Sequence, residues 1–482
     1  MEVKSIKKNY IYNLLYQVLL VLTPIITTPY LSRTLTAAGV GEVSFVESVV
    51  SYFILFATLG ITTYGQREIS YYQDDINKRT EAFYNIFILK FIISGIVLII
   101  YYAFSFLIFK SNIYMAFSLS IIAVLIDTTW FFQGMEEFKL VVIRNFIFRL
   151  LNIIFILLFV KSKNDIFIYC FGLSLFTFLS NLSIIPYLKK YIGKFDVNKI
   201  HPFKDIVVVL SLFLPTVAIQ IYTVLDKTMI GIITKDALEN GYYEQSSKIS
   251  KFLLFIVTAL GTVIIPRIGY YFNKKDDKSL KELIYKSYRF VLFLSIPMSL
   301  GLFFIAESFV PWFLGIEFNK SIILIRILSF LLILIGLSNV TGLQYMVPTG
   351  KQKLLTISLC IGAIINFILN MILIRYFKSV GAAIASVVAE FSITFIQIFL
   401  VRDEISLIKI LKSGIKYLIS GIIMMIVLYI MKPRFDATYI GSIFATAVGA
   451  VVYVWSLFVL RDEFFIETIC YFLRDKGTKV DD

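Results

Sequence analysis

The 482 residues are 59% hydrophobic and only 16% charged, against about 25% charged in a soluble domain, which excludes an ordinary soluble globular protein. The formal net charge of +14 is dispersed through short connections between apolar runs, so it reads as orientation in a membrane and not as a nucleic-acid interface. Cys170, Cys360 and Cys470 lie far apart without metal-ligand spacing, so neither a disulfide framework nor a metal site is expected.

A helix needs about 20 apolar residues to cross a bilayer. Fourteen such runs occur, centred near residues 20, 54, 93, 122, 154, 176, 220, 256, 295, 333, 362, 390, 422 and 449. The fold class is therefore an all-α polytopic membrane protein, and short connections leave function to the helices themselves. The first run follows the basic lead MEVKSIKKNYIYNLL without a small-residue cleavage site, which predicts a retained membrane helix. It carries Asn13, Gln17, Pro24 and Thr27 on one face and ends in TPYLSR, with Pro29 and Arg33. The third run holds Lys90; the fourth places Asp127, Trp130 or Phe131, and Gly134 on one face; the fifth aligns Asn145, Arg149 and Asn152. Lys90 and Arg149 are thus candidate partners for Asp127, and a purely scaffolding ion pair fits them as well as a functional one does.

The seventh run, within residues 207–241, places Thr216, Gln220, Thr223, Lys227 and Gly231 on one helical face, with Asp226 about 100° round from Lys227. A charge near the bilayer centre costs about 3 kcal/mol on insertion scales, so this pair calls for a water-filled cavity or a structural ion pair within the bundle. Pro24 and Pro215 occupy similar places in the first and seventh runs. A proline inside a membrane helix frees a carbonyl and permits a bend, which makes both candidate gating positions, a static kink being the alternative. The longest and most basic connection, Pro266 to Arg289, fits an interfacial helix on anionic lipid or a solvated loop. Arg326, near the end of the tenth run, is placed to snorkel.

The chain also repeats. LGITTYGQREISYYQDD (59–75) and LGTVIIPRIGYYFNKKDD (260–277) share Leu-Gly, Arg, Tyr-Tyr and Asp-Asp at an offset of about 200 residues, and Gly41-Glu42 matches Gly241 to Glu244 at the same offset. A shift of six spans preserves orientation and implies parallel repeats. The expected organisation is a six-helix lobe over 1–200, a second over 201–402, and two additional helices with a tail over 403–482. By the positive-inside rule, with roughly thirty Lys and Arg on one side and about twelve on the other, both termini face the cytoplasm. The single histidine, His201, precedes Pro202 in a connection, and Thr349-Gly350-Lys351 is followed by Gln352 without the upstream glycine of a phosphate cradle. A transporter is therefore expected, not an enzyme; a membrane glycan polymerase or ligase is the enzymatic alternative.

The strings TPYLSRTLTAAGVGEVSF, LGITTYGQREIS, IDTTWFFQGMEEFKLVVIRN, IQIYTVLDKTMIG and NGYYEQSSKI resemble the prokaryotic polysaccharide transporter family. Its O-antigen and capsular repeat-unit flippases belong to the multidrug/oligosaccharidyl-lipid/polysaccharide exporter superfamily. The resemblance covers nearly the whole chain, most strongly residues 9–270, and departs at Thr36, where relatives often have glycine. It implies two six-helix bundles in a V shape and movement of undecaprenyl-pyrophosphate-linked oligosaccharide across the bacterial cytoplasmic membrane by alternating access, alongside membrane lipids and the polymerase and chain-length machinery. For that cargo Arg33 and Lys227, then Lys90 and Arg149, are the expected cations for pyrophosphate or acidic sugars. Asp127 and Asp226, and more weakly Glu47 and Glu390, are expected as charge partners or as carriers of a coupling H+ or Na+; no other cofactor is expected. A multidrug cation antiporter of the same superfamily is the alternative transporter, though its cavity should be predominantly acidic.

Overall fold

A computed structural model describes residues 6–109, 111–194, 200–259, 261–432 and 437–466, with side chains described except at 6–22, 108–109, 214–215, 218–219, 221–222 and 262–263. The chain divides into two compact units, residues 1–241 and 242–482. No strand occurs among the described residues.

The first unit begins with α1 (Ile6–Thr58), which runs helically past Pro24 and Pro29 and breaks at Thr36, where φ is 63° and ψ is 173°. After the left-handed turn at Gly60 comes the short amphipathic α2 (Ile61–Tyr71). Next are α3 (Ile76–Phe104), α4 (Asn112–Ile126), α5 (Thr129–Gly134), α6 (Phe138–Phe159), α7 (Ile166–Ile184) and α8 (Ile206–Thr234). The unit boundary falls inside α9 (Ala237–Thr258). The second unit continues with α10 (Gly261–Asn273), α11 (Asp277–Phe313), α12 (Ser321–Leu328), α13 (Leu331–Asn339), α14 (Gln352–Phe377), α15 (Ser379–Leu400), α16 (Leu407–Ile430) and α17 (Tyr439–Val459).

Among the described residues, 11 helical stretches are long and apolar enough to cross a membrane, and the protein is a multi-pass membrane protein. They coincide with eleven of the fourteen expected spans. The expected spans near 20 and 220 fall where side chains lie outside the description, and the one near 256 lies in α9, whose Glu239, Glu244, Lys248 and Lys251 mask its apolar end. The connection 266–289 is not a solvated loop. It is the end of α10 followed, after three residues, by α11, a helix of 37 residues that at 1.5 Å per residue outreaches the hydrocarbon core.

Helices surrounded by lipid gain little from apolar contact with one another, so close approach at small residues sets their packing. Gly41 and Gly241, equivalent in the repeated sequence, do this directly: a Cβ on Gly41 would lie 1.7 Å from the Ala237 carbonyl oxygen, and one on Gly241 would lie 2.0 Å from that of Ala37. In the first unit Val46, Tyr101, Phe117, Ile121 and Cys170 are buried together, and Trp130 stacks 5.8 Å from Phe83. In the second unit α11 packs on α16 and α17 through Tyr288, Leu292, Tyr417 and Leu457.

Two aspartates of the repeated sequence perform one job. The Asp75 carboxylate accepts from the N–H groups of Asn77 and Lys78 and starts α3; Asp276 accepts from Ser279 N–H and starts α11. Both are side-chain caps of orphan backbone donors. Lys78 N–H above all holds the Asp75 carboxyl below its ordinary range, and Ser279, by hydroxyl and N–H, does so for Asp276.

Candidate functional site

The polar interior of the first unit begins where α4 stops. Asp127 has an extended backbone, and its Oδ1 accepts from its own chain at Thr129 N (3.0 Å) and Thr129 Oγ1 (2.5 Å). An aspartate that bonds two residues ahead competes with the helix and opens it. The opening releases the Asp127 carbonyl to accept from Lys90 Nζ at 2.7 Å and Trp130 Nε1 at 3.2 Å. Lys90 Nζ also meets Asp127 Oδ2 at 3.2 Å, with the Lys90 side chain 1% exposed and that of Asp127 21%. Of the two cations expected beside Asp127, the structure gives the ion pair to Lys90. Arg149 turns elsewhere: its Nε donates to Thr23 Oγ1 at 3.2 Å.

Thr129 passes the network onward. Its hydroxyl accepts from Arg144 Nη2 at 3.1 Å, and the same nitrogen donates to Asn145 Oδ1 at 2.7 Å. Asn145 opens a cavity of about 420 Å³ walled by α1, α4, α6 and α7. Glu47, Arg149, Asn152, Thr177, Ser180 and Asn181 are among its charged and polar lining groups, with Phe148 and Phe176 among the apolar ones. Asn181 Nδ2 donates to the Ala123 carbonyl at 2.9 Å, whereas Asn152 Oδ1 is buried and accepts no hydrogen bond among the described residues. An acceptor left in that condition needs a donor from water or cargo. Carboxamides, hydroxyls, one guanidinium and one carboxylate together can bind a polyhydroxylated or anionic group.

Of the other expected residues, Arg33 is exposed, Asp226 and Lys227 are half-buried on α8, and Glu47 lines the cavity. Thr228, next to Lys227, donates to Ser48 Oγ at 2.9 Å and so fastens α8 to α1. Glu390 is buried on α15, along the face that carries Thr394 and Gln397; Gln397 donates to Ser358 Oγ on α14 at 3.2 Å. Arg326 does not simply snorkel: its Nη2 lies 2.9 Å from Glu307 Oε2, and Lys432 joins the same carboxylate at 3.0 Å. Pro24 lies in an unbroken helical stretch, the break in α1 falling at Thr36. The Pro215, Asn13 and Gln17 side chains and residue Cys470 lie outside the described residues.

Sequence reasoning passed over Arg144 and Asn181. Arg144 is adjacent to the aligned Asn145, so it sits about 100° off the stripe that was read; its role depends on the opened α4–α5 backbone. The signal for Asn181 was a carboxamide in an apolar run, one helix on from the Asn145 stripe.

Apolar spans packed about a polar cavity define the class: a polytopic membrane protein with a polar interior in its first unit. The fold is that of a solved lipid II flippase in an inward closed conformation (TM-score 0.73, 17% identity, 94% of this chain and 98% of that one). It is shared more loosely with an inward-facing multidrug resistance transporter of the MATE family (TM-score 0.60, 13% identity, 81% of this chain and 99% of that one). Residues 6–272 match the family described as polysaccharide biosynthesis protein, and the chain belongs to that family. It is also 27% identical over 407 residues to the Escherichia coli K12 protein named "Putative O-antigen transporter", covering 83% of this chain and 97% of that one.

Proposed function

We propose that this protein is a flippase that moves undecaprenyl-pyrophosphate-linked oligosaccharide repeat units across the bacterial cytoplasmic membrane by alternating access, for cell-surface polysaccharide biosynthesis. The carrying observation is the polar cavity inside the first unit of a chain from the polysaccharide biosynthesis family. A lipid-linked glycan leaves its polyprenyl tail in the bilayer, so the protein's task is a wet path for sugars and a cationic one for pyrophosphate. Arg149 and the carboxamides of α6 and α7 supply the first, and Arg33 and Lys227 are assigned to the second. Lys90 is assigned to hold Asp127 in place.

In this reading both termini are cytoplasmic, and residues 1–200 and 201–402 act as lobes followed by two helices. Pro24 and Pro215 allow the bending that gates them. One of the carboxylates Asp127, Asp226, Glu47 or Glu390 takes the coupling H+ or Na+. Polymerase and chain-length machinery take the delivered units. Arg149 within the cavity weighs against an organic cation as cargo, and no covalent step is assigned to the protein.

The test is deletion of the gene in its host, with rescue by intact protein and by an Arg149→Ala variant inserted at equal level. Loss of surface polysaccharide with lipid-linked units accumulating on the cytoplasmic leaflet, rescued by intact protein alone, supports the proposal. Normal surface polymer in the deletion strain contradicts it.

A further inference from the structure

The repeated Leu-Gly, Arg, Tyr-Tyr, Asp-Asp sequence plays no part in the cavity, yet its arginine lies against a tyrosine on a helix in each unit. Arg67 of α2 lies over the rings of Tyr64 and Tyr71, with Cζ 5.4 and 6.0 Å from their centroids. Arg267 of α10 lies 5.7 Å from the centroid of Tyr271 and donates to its hydroxyl at 3.2 Å. A step of four residues on a helix stacks one side chain over the other, so each unit presents a guanidinium laid on a tyrosine ring.

In the second unit this pair heads a larger surface. Lys274 Nζ stands 4.7 Å from the Tyr270 ring, and Tyr270 and Phe272 are 53% and 46% exposed. Between Pro266 and Arg289 the sequence holds seven Lys and Arg against three Asp and Glu. Of those acids, Glu282 is paired with Lys286 at 2.9 Å and Asp276 is spent capping α11. No ion pair among the described residues engages Arg267, Lys274 or Lys275. In the first unit Arg67 is partly neutralised by Glu68 at 3.0 Å.

We propose that the end of α10 and the start of α11 form a binding surface for the headgroups of anionic phospholipids, Arg267, Lys274 and Lys275 meeting phosphate while Tyr270 and Phe272 enter the headgroup layer. Exposed aromatic rings beside Lys and Arg suit the membrane–water boundary, and clustered cations beside a membrane helix attract anionic lipid. The spacing favours many headgroups over one diphosphate. Arg267 and Lys274 are seven residues apart, about 10 Å along the helix axis, whereas a single pyrophosphate needs donors converging on one point. The surface thus serves the protein's seat in the leaflet and is independent of the transported cargo.

Native mass spectrometry of the full-length protein tests this by counting lipids retained from equimolar dioleoyl phosphatidylglycerol and dioleoyl phosphatidylcholine in mixed micelles. Intact protein should retain phosphatidylglycerol preferentially. Arg267→Gln, Lys274→Gln and Lys275→Gln should each reduce the preference about fivefold, the effect expected of one cation near the surface. Arg267→Lys with Lys274→Arg should keep it, as should Lys161→Gln with Lys163→Gln on the α6–α7 connection. An unchanged preference in the triple Gln variant overturns the proposal. So does loss of added undecaprenyl pyrophosphate with phosphatidylglycerol preference intact, which would make the surface a cargo-capture site. The readout needs no transport, so it stands or falls separately from the flippase reading.

Discussion

Replacing Lys90 by methionine removes one partner of a buried ion pair of the first unit. The Lys90 side chain is 1% exposed, and it gives two hydrogen bonds to residue 127, one to the carbonyl and one to the carboxylate. Removing one member of a buried pair costs about 3–5 kcal/mol, because the other charge is left uncompensated. Asp127 keeps its two bonds from Thr129 and is 21% exposed, so Lys90→Met belongs at the lower end, about 3 kcal/mol. Asp127→Asn strands the more deeply buried ammonium and belongs at the upper end, about 5 kcal/mol. The double variant Lys90→Met/Asp127→Asn removes both charges and should return to within about 1–2 kcal/mol of intact protein. Unfolding free energies from SDS titration in mixed micelles, followed by tryptophan fluorescence, measure all three. Single variants within about 1 kcal/mol of intact protein, or simple addition of their effects in the double variant, would refute the coupling.

Thr36→Gly should raise stability by about 1 kcal/mol, since its φ of 63° and ψ of 173° fall where glycine is at ease and a β-branched residue is strained; an unchanged or lower thermal midpoint counts against that. Gly241→Ala should destabilise by more than about 2 kcal/mol or abolish insertion, because its Cβ would sit 2.0 Å from the Ala37 carbonyl oxygen and backbone cannot step aside cheaply; normal melting would disprove the close crossing. At Glu404, burial alone would raise the carboxyl, but hydrogen bonds from Lys351 and Tyr345 outweigh it and hold the group below its ordinary range. A depressed carboxylate contributes stability above its unfolded pKa and loses it as pH falls through the folded value. Glu404→Gln should therefore lower the melting midpoint at pH 7 and flatten its fall below about pH 4, and an unaltered acid limb would contradict the assignment.

Eleven of the expected spans were legible because apolar run length is a one-dimensional property of the chain. Lys90, Asp127 and the Asn145 stripe were legible for the complementary reason, that polar groups stand out within such runs. Partners were harder to read. Lys90 and Arg149 were equal candidates for Asp127 until the open backbone at Asp127 and Thr129 aimed one carbonyl and one carboxylate at Lys90. Arg144 entered through Thr129, a contact made by the same opening and by no helical period. The prolines marked bending sites by composition, yet α1 breaks at Thr36, the position where the resemblance to glycine-bearing relatives already failed. For the basic stretch 266–289 an interfacial helix and a solvated loop were equally open by charge alone; the capping Asp276 and the 37-residue α11 decide for helix, with polar residues at one end of a helix longer than the hydrocarbon core.

Transport itself is tested most directly by leaflet accessibility of an undecaprenyl-pyrophosphate-linked oligosaccharide in proteoliposomes, comparing intact protein with Lys227→Ala and Arg149→Ala variants inserted to the same level. Exposure of inner-leaflet glycan to an external glycosidase or lectin, with no covalent change to the lipid and with both variants slowed at least tenfold, is the predicted result. Glycan that stays inaccessible in the presence of intact protein, while the same vesicles take up an organic cation, would contradict the account and place the protein with the multidrug transporters.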